Sequence, residues 1–296
     1  NPEDARALLA YYNREQYPGV DSPVYGTYYS DMFAPAGEDQ DGKPKYEKDY
    51  TLGKYIIVNK FKDAVQGPNP KHQGLLPRMW SSQNAENYMR YFGALDFKIT
   101  QPNQELRQAA EQVKIGFANG EIGADQYISF LKRFDEYIEV QPPTLWDNVR
   151  YMVEFQFNYM YLRYFMWNFV GKQNDVQGRY NDNGNWLSGI NAIDSWRLGS
   201  QDNLPSDIKN NPGRNTYFFL PLILGIIGIV FQLSKDKKQF WVLLIFFLFT
   251  GLAIQFYTNP GIFQPRERDY SLVGSFYVFA LWIGLGVYGL YDSFKD

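Results

Sequence analysis

Four alternating charges, Arg266-Glu267-Arg268-Asp269, stand between Pro265 and Tyr270, immediately ahead of the last long apolar run of the chain. Arginines held at the face of a bilayer grip a phosphate or pyrophosphate bidentately, and a neighbouring carboxylate orients them or accepts from a sugar hydroxyl. Arg266, Glu267, Arg268, Asp269 and Tyr270 are therefore candidate residues for binding a phosphorylated donor. A solvated juxtamembrane ion-pair cluster has the same spacing. A second concentration, Arg163–Asp175 (RYFMWNFVGKQND), sets a cation and several amides among aromatic rings. That mixture suits sugar recognition by stacking and hydrogen bonding, although core packing explains the rings equally well. Arg163, Asn168, Asn174 and Asp175 are its polar members least easily explained as packing.

Other chemistries lack their signatures. The sequence has no Walker loop, no GxGxxG after a strand, no HExxH and no GxSxG. His72 is the single histidine, so a His-based metal site cannot be assembled, and no cofactor or metal is identified. Cysteine is absent, which excludes disulfides, thiolate metal sites and a cysteine nucleophile. No two carboxylates can be set face to face from the sequence, so the catalytic residue is unknown. A net charge of -3 provides no basic field for a nucleic-acid backbone.

The elements that must position these residues fall into two parts, because the mean hydropathy of -0.41 averages over two different solvents. Residues 1–216 hold most of the charges and turn formers. Tyr217–Leu233, Phe240–Tyr257 and Leu272–Tyr291 are uncharged and close to the roughly 20 residues a bilayer crossing needs. The expected fold is mainly α: a polytopic membrane protein with three C-terminal transmembrane helices and an α-rich extracytoplasmic domain containing a small β hairpin. The connection Ser234–Gln239 carries Lys235, Lys237 and Lys238, which places it in the cytoplasm under the positive-inside rule. By parity, residues 1–216 and the loop Thr258–Ser271 lie outside the cytoplasm and the tail 292–296 inside. The chain opens without an initiator Met or a leader, as an internal fragment of a longer protein would.

Within the polar part, Pro2–Glu15 has the pattern of an amphipathic helix with Leu8, Tyr11 and Tyr12 on its buried side. Lys45–Phe61 reads as two short strands parted near Leu52-Gly53. Gln104–Phe117 and Ala124–Ile138 form a helical hairpin, with Tyr127, Phe130, Leu131, Phe134 and Ile138 on one face. Thr144 is placed to cap a helix over Leu145–Asn168 that ends at Gly171. Its stretch Met152–Val170 is apolar, yet Glu154, Gln156, Asn158, Arg163 and Asn168 make it an interfacial or bundle-packed helix over 144–170 rather than a span.

Several segments resemble a bacterial polytopic membrane family of unknown function that is related to the transmembrane-260-type protein O-mannosyltransferases (glycosyltransferase family 117, GT-C-like). They are Tyr12-Asn13-Arg14-Glu15-Gln16-Tyr17, Tyr161 through Phe169, Gln173-Asn174-Asp175-Val176-Gln177-Gly178, Gly184-Asn185-Trp186 and Gln264 through Tyr270. The resemblance implies a segment of a membrane glycosyltransferase in the bacterial inner membrane. Such an enzyme takes a polyprenyl-phosphate sugar as donor and transfers the sugar to protein hydroxyls outside the cytoplasm. Its partners are the lipid bilayer, the lipid-linked sugar and an acceptor protein, and Trp186 joins the candidate donor-binding residues. In that family the catalytic carboxylate lies in the first outer loop, upstream of this segment. The reading from another class is a noncatalytic membrane-anchored scaffold that docks a partner in the cell envelope.

Overall fold

The computed structural model describes residues 5–12, 23–28, 39–40, 44–60, 65–66, 70–81, 84–101, 104–178, 183–262 and 269–295. Among them the chain is mainly α, with only two-stranded antiparallel sheets. It divides into two compact units, residues 1–145 and 146–296. The compositional change at Tyr217 falls inside the second.

The first unit begins with α1 (Ala5–Tyr12). The expectation of a buried face on α1 is corrected, because Leu8, Tyr11 and Tyr12 are all exposed. Two turns of helix close too few hydrogen bonds to demand a packed face. Six short strands follow: β1 (Tyr25–Thr27), β2 (Asp39–Gln40), β3 (Lys45–Asp49), β4 (Lys54–Asn59), β5 (Val65–Gln66) and β6 (Gln73–Leu75). β1 pairs with β6, β2 with β5, and β3 with β4, which is the small hairpin expected from Lys45–Phe61. Its turn forms because the Asp49 carboxylate accepts from the Thr51 and Leu52 amides while Gly53 takes a φ of 62°.

The core of this unit lies further along, between α2 (Ala85–Phe92), β7 (Phe97–Ile99), α3 (Gln104–Ala118), α4 (Ala124–Arg133) and β8 (Ile138–Val140), which pairs with β7. Tyr127 and Leu131, one turn apart on α4, are fully buried. The Tyr127 ring meets Phe97 and Phe117, and its hydroxyl donates to the Leu95 carbonyl at 2.7 Å. Burial of the phenol, with the Asp96 carboxylate adding to it, raises its pKa. The expected helical hairpin forms, but α4 ends at Arg133 and Ile138 belongs to β8. An apolar residue five positions past the helix was captured by a strand partner, Ile99.

In the second unit, one continuous helix covers 145–169. It is α-helical over α5 (Leu145–Arg150), π-helical over Tyr151–Leu162 and α-helical again over α6 (Arg163–Phe169). A polar excursion follows, made of β9 (Gly171–Lys172), α7 (Asn191–Leu198), α8 (Ser206–Lys209) and β10 (Asn215–Thr216), with β9 paired to β10. Then come α9 (Leu220–Lys235), α10 (Lys237–Leu248), a π-helical segment Phe249–Ala253, α11 (Ile254–Thr258) and α12 (Asp269–Ser293).

The structure corrects the expectation of three membrane-spanning helices. Among the described residues two helices are long and apolar enough to cross a bilayer: Lys237–Thr258, of 22 residues, and Asp269–Ser293, of 25. The first apolar run yields only a 16-residue helix, about 24 Å at 1.5 Å per residue, against a hydrocarbon core of about 30 Å. The reason is Pro221. It has no amide to donate and its ring would strike the carbonyl of Tyr217 in a continuous helix, so it sits in the first turn and the chain before it must turn. Phe218 and Phe219 make that turn in the left-handed region, at φ of 52° and 58°.

The two long helices point to membrane anchoring. Only 17% of the apolar window of Lys237–Thr258 is buried, whereas the core helix of a water-soluble protein is mostly covered. Trp241, Val242, Ile245 and Phe249 face outward. On α9 the exposed Leu220, Ile223, Ile226 and Val230 form one stripe, and the buried Gly225, Gly228 and Gln232 form the opposite one. With apolar side chains outside as well as inside, close packing and hydrogen bonds hold the helices together.

The closest packing joins α9 to α12. A Cβ on Gly228 would run into the Trp282 carbonyl, a Cβ on Gly286 into the Leu224 carbonyl, and a Cβ on Gly225 into the Phe279 ring. Gly289 lies against Phe231, so the two helices run in the same direction. Trp282, fully buried, donates from Nε1 to Gln232 Oε1 at 2.7 Å, and Lys235 meets Asp292 at 3.1 Å at the shared end. α10 runs back along both, its first turn capped by Asp236, which accepts from the Lys238 and Gln239 amides. Phe165, Phe240, Phe247, Phe279 and Trp282 form the aromatic centre of the bundle.

Replacing Gly228 by Leu forces α9 and α12 apart and is expected to lower the melting temperature of the detergent-solubilised protein by several degrees. Gly284→Ala, where no atom lies within 4 Å of the added Cβ, is expected to be neutral or to stabilise by up to about 1 kcal/mol through helix propensity. In the first unit, the hydrogen bond from Lys114 holds the Asp96 carboxyl below its ordinary value. The stabilisation from this pair is complete above the unfolded-state value of about 3.9 and is lost as pH falls through the lower folded value. Asp96→Asn is therefore expected to flatten the acid limb of stability against pH, followed by circular dichroism.

Candidate functional site

The chain leaves α6 through Val170 and must return to start α9, and the excursion between them is closed by backbone bonds. The Tyr217 amide donates to the Val170 carbonyl at 2.9 Å, and Phe218 donates to Ser188 at 3.1 Å. Gly171, at a φ of 145°, lies where any Cβ would press on the backbone of Leu187 and Asn215. Within this closure sit Asn174, Asp175 and Trp186.

Arg163 is buried, and its contacts are structural. Nη1 donates to the Gly184 carbonyl, Nε donates to the Tyr159 carbonyl at 3.1 Å, and the guanidinium lies over the Tyr159 ring at 4.6 Å. Asn174, also buried, ties the same loop: Nδ2 donates to Asn183 Oδ1 at 3.0 Å, while Oδ1 accepts from the amides of Gly184 at 3.1 Å and Val176 at 3.3 Å. Arg163 and Asn174 thus meet at Gly184, whose φ of 70° and contact with Gly178 leave no room for a side chain. Asn168 donates back to the Tyr164 carbonyl one turn earlier, at 2.8 Å. Asp175 is exposed beside Gly213.

Trp186 stands at the foot of α9, edge-on to Phe219. Arg197 stacks on it with its Cζ 3.3 Å from the ring centre and donates from Nη1 to the Trp186 carbonyl. Burial lowers the Arg197 pKa and the nearby Asp194 opposes that. Asp194 itself is buried and fully used, accepting from the Ser188 amide and hydroxyl and from the Gly189 amide. Lys172 lies 3.9 Å from the centre of the Trp167 ring.

Of the charged motif before α12, Arg266, Glu267 and Arg268 lie outside the described residues. Asp269 and Tyr270 open the helix, and Tyr270 is 76% exposed. The Tyr164 hydroxyl donates to Asp269 Oδ1, so the helix that carries Arg163 is joined to the residue that follows Arg268 in the chain. The two concentrations of candidate residues, distant in sequence, are in this way tied together.

Above that tie runs a polar seam that the sequence reading did not identify as a site. The Tyr151 hydroxyl donates to the Pro260 carbonyl at 3.1 Å, Gln156 Nε2 donates to Asn259 Oδ1 at 2.9 Å and to Pro260, and the Tyr161 hydroxyl shares a 2.5 Å hydrogen bond with Ser275. Gln255 is buried on α11. The only sequence signal was a glutamine inside an otherwise apolar run, together with Gln156. A buried acceptor left unmet in such surroundings costs about 1–3 kcal/mol. No group of three or more His, Cys, Asp or Glu able to hold a metal is present among the described residues.

Fold and site together define a mainly α protein with two helices long and apolar enough to anchor it in a membrane and with aromatic and amide side chains at one end of the bundle. Over residues 19–153 the chain is similar to a family described as a family of unknown function, DUF8416. That match covers less than half of the chain and assigns no activity. No curated protein and no solved structure matches it.

Asn174→Ala leaves the buried Gly184 amide without its acceptor, and Arg163→Ala removes the donor from the Gly184 carbonyl. Each is expected to destabilise the second unit by about 1–3 kcal/mol and to open the 173–186 loop to protease while membrane insertion is retained. Limited proteolysis and thermal unfolding check this, and unchanged values for both variants would show that the two side chains do not hold the loop.

Proposed function

We propose that the chain is a segment of a membrane glycosyltransferase-like protein of the bacterial inner membrane. In this reading the residues before α12 help to bind the polyprenyl-phosphate sugar from which a hexose passes to protein hydroxyls. The observation that carries it is the Tyr164–Asp269 hydrogen bond. It fixes the first turn of α12 to the helix bearing Arg163, and Arg266-Glu267-Arg268 directly precedes that turn in sequence. The start of a long helix adds a partial positive charge that favours an anion at the same end. Arg266 and Arg268 would supply bidentate donors for a phosphate, and the exposed Tyr270 a ring face for a sugar. Arg163 and Asn174 enter this reading through the loop they hold, and Asn168 through the Tyr164 carbonyl it bonds.

The scaffold reading draws on a different feature. Tyr50, Leu52, Ile57 and Val58 are exposed on and beside the β3–β4 hairpin, an apolar strip that a protein partner in the envelope could cover. Arg266→Ala combined with Arg268→Ala in the full-length protein separates the two. The expected outcome is loss of sugar transfer to acceptor protein by at least 100-fold with membrane insertion intact; unchanged transfer would overturn the donor-binding assignment.

A further inference from the structure

α9 and α12 are level at one end and not at the other. Lys235 meets Asp292 at the shared end, but Gly225, five residues after the start of α9, already lies against Phe279, ten residues after the start of α12. α12 therefore continues for about five residues, roughly 7 Å, past the first residue of α9. Measured from the shared end, α9 reaches about 24 Å while the hydrocarbon core of a bilayer is about 30 Å thick. The remaining depth, beside the first turns of α12, falls at the head of α9, where the polar excursion is attached.

Contacts at both ends of α7 fix it at that head. Ahead of its first turn, the Ser188 carbonyl accepts from the Phe218 amide and Gly189 lies against the Phe218 ring. In its last turn, Arg197 stacks on Trp186, which stands edge-on to Phe219. Asp194 and Arg197 thus take up the side of α7 turned towards the protein, Asp194 by accepting from the Ser188 and Gly189 amides. The other side holds Ala192 and Trp196, one turn apart and both exposed, Trp196 at 85%. Ile190 and Phe218, at the first of these contacts, are exposed as well, and so is Leu220, where the outward apolar stripe of α9 begins. Uncovered apolar surface therefore leads from that stripe through Phe218 to the start of α7.

We propose that α7 rests in the interfacial layer of the bilayer, with Trp196 as its anchor and Ile190 and Phe218 beside it. The partner is the boundary between lipid headgroups and acyl chains. An indole prefers that level, because its ring leaves water while its N–H still meets polar groups. The short α9 calls for such a contact. An apolar helix shorter than the hydrocarbon core is accommodated by flanking residues at the interface and by local thinning of the bilayer, and the flank here is the Phe218 turn with α7 against it. The exposed set, Ile190, Ala192, Trp196, Phe218 and Leu220, is uncharged, so the contact does not select anionic lipid. The inference rests on anchoring by Lys237–Thr258 and Asp269–Ser293 and is independent of the donor-binding reading.

The chain has no cysteine, so one introduced thiol places a fluorophore at a single site. Trp196→Cys and, as a lipid-facing reference, Ile245→Cys are labelled in the full chain reconstituted in phosphatidylcholine vesicles. Quenching is measured with nitroxide lipids carrying the radical at the headgroup or deep in the acyl chain, and with aqueous iodide. The label at 196 is expected to lose more fluorescence to the headgroup nitroxide than to the deep one, and the label at 245 the reverse. If Trp196→Cys does not fold, Ala192→Cys serves in its place with the same expectation. Quenching at 196 by iodide alone would overturn the inference, since α7 would then lie in water. Protection at 196 from all three quenchers would overturn it in favour of a protein partner. A label at 245 untouched by either nitroxide lipid would overturn the membrane anchoring and this inference with it.

Discussion

The contact between α9 and α12, where each helix has a glycine against the other's carbonyl, sets the geometry of the second unit. Gly228 and Gly286 let two backbones approach as closely as they can, and everything along the pair follows from that register. Trp282 fills the space beside them and reaches Gln232, Phe279 covers Gly225, and Lys235 arrives at Asp292. In a bilayer the lipid is as apolar as the outward faces of these helices, and there shape rather than water exclusion would hold them together. A single added methyl group at either glycine removes the fit.

With α9 held in this way, the 145–169 helix and α9 both lie along α12, the first beside Phe276 and Phe279 and the second from Phe279 onward. Between them the chain makes its polar excursion and is closed by the Tyr217–Val170 bond. The 145–169 helix meets its neighbours through both aromatic rings and hydrogen bonds. Tyr151, Gln156, Tyr161 and Tyr164 each bond to a residue about 100 positions later, which ties a polar seam into an aromatic bundle. Gln156, one of the polar side chains that looked like an obstacle to burial in the sequence, is in the fold part of what joins this helix to the segment that follows α11. Two glutamine oxygens are left over, that of Gln156 within the π-helical segment and that of Gln255 on α11.

The candidate residues divide on the same physical line. Arg163 and Asn174 stand out in the sequence because a cation and an amide among rings are hard to explain as packing. Packing of side chains does not explain them, but packing of backbone does: both are spent on the carbonyl and amide of Gly184 and its neighbours, groups that need partners once the loop folds onto the helix. Asp269 is tied to Tyr164, and Tyr270 stays exposed.

The sequence alone determined which segments are helical and apolar and the short β3–β4 hairpin with its Gly53 turn, because each rests on local composition and periodicity. Pro221 was also in plain view and, by removing one amide and blocking one carbonyl, it shortened the first apolar helix to 16 residues. The length of the hydrophobic run concealed this. Tertiary structure alone decided that Ile138 joins a strand, that Leu8, Tyr11 and Tyr12 remain exposed, that the 145–169 helix packs with the last helices, and that Gln156 meets Asn259 and Pro260. Those outcomes depend on which distant residue arrives opposite each side chain, and periodicity records the face a residue occupies but not the partner that meets it.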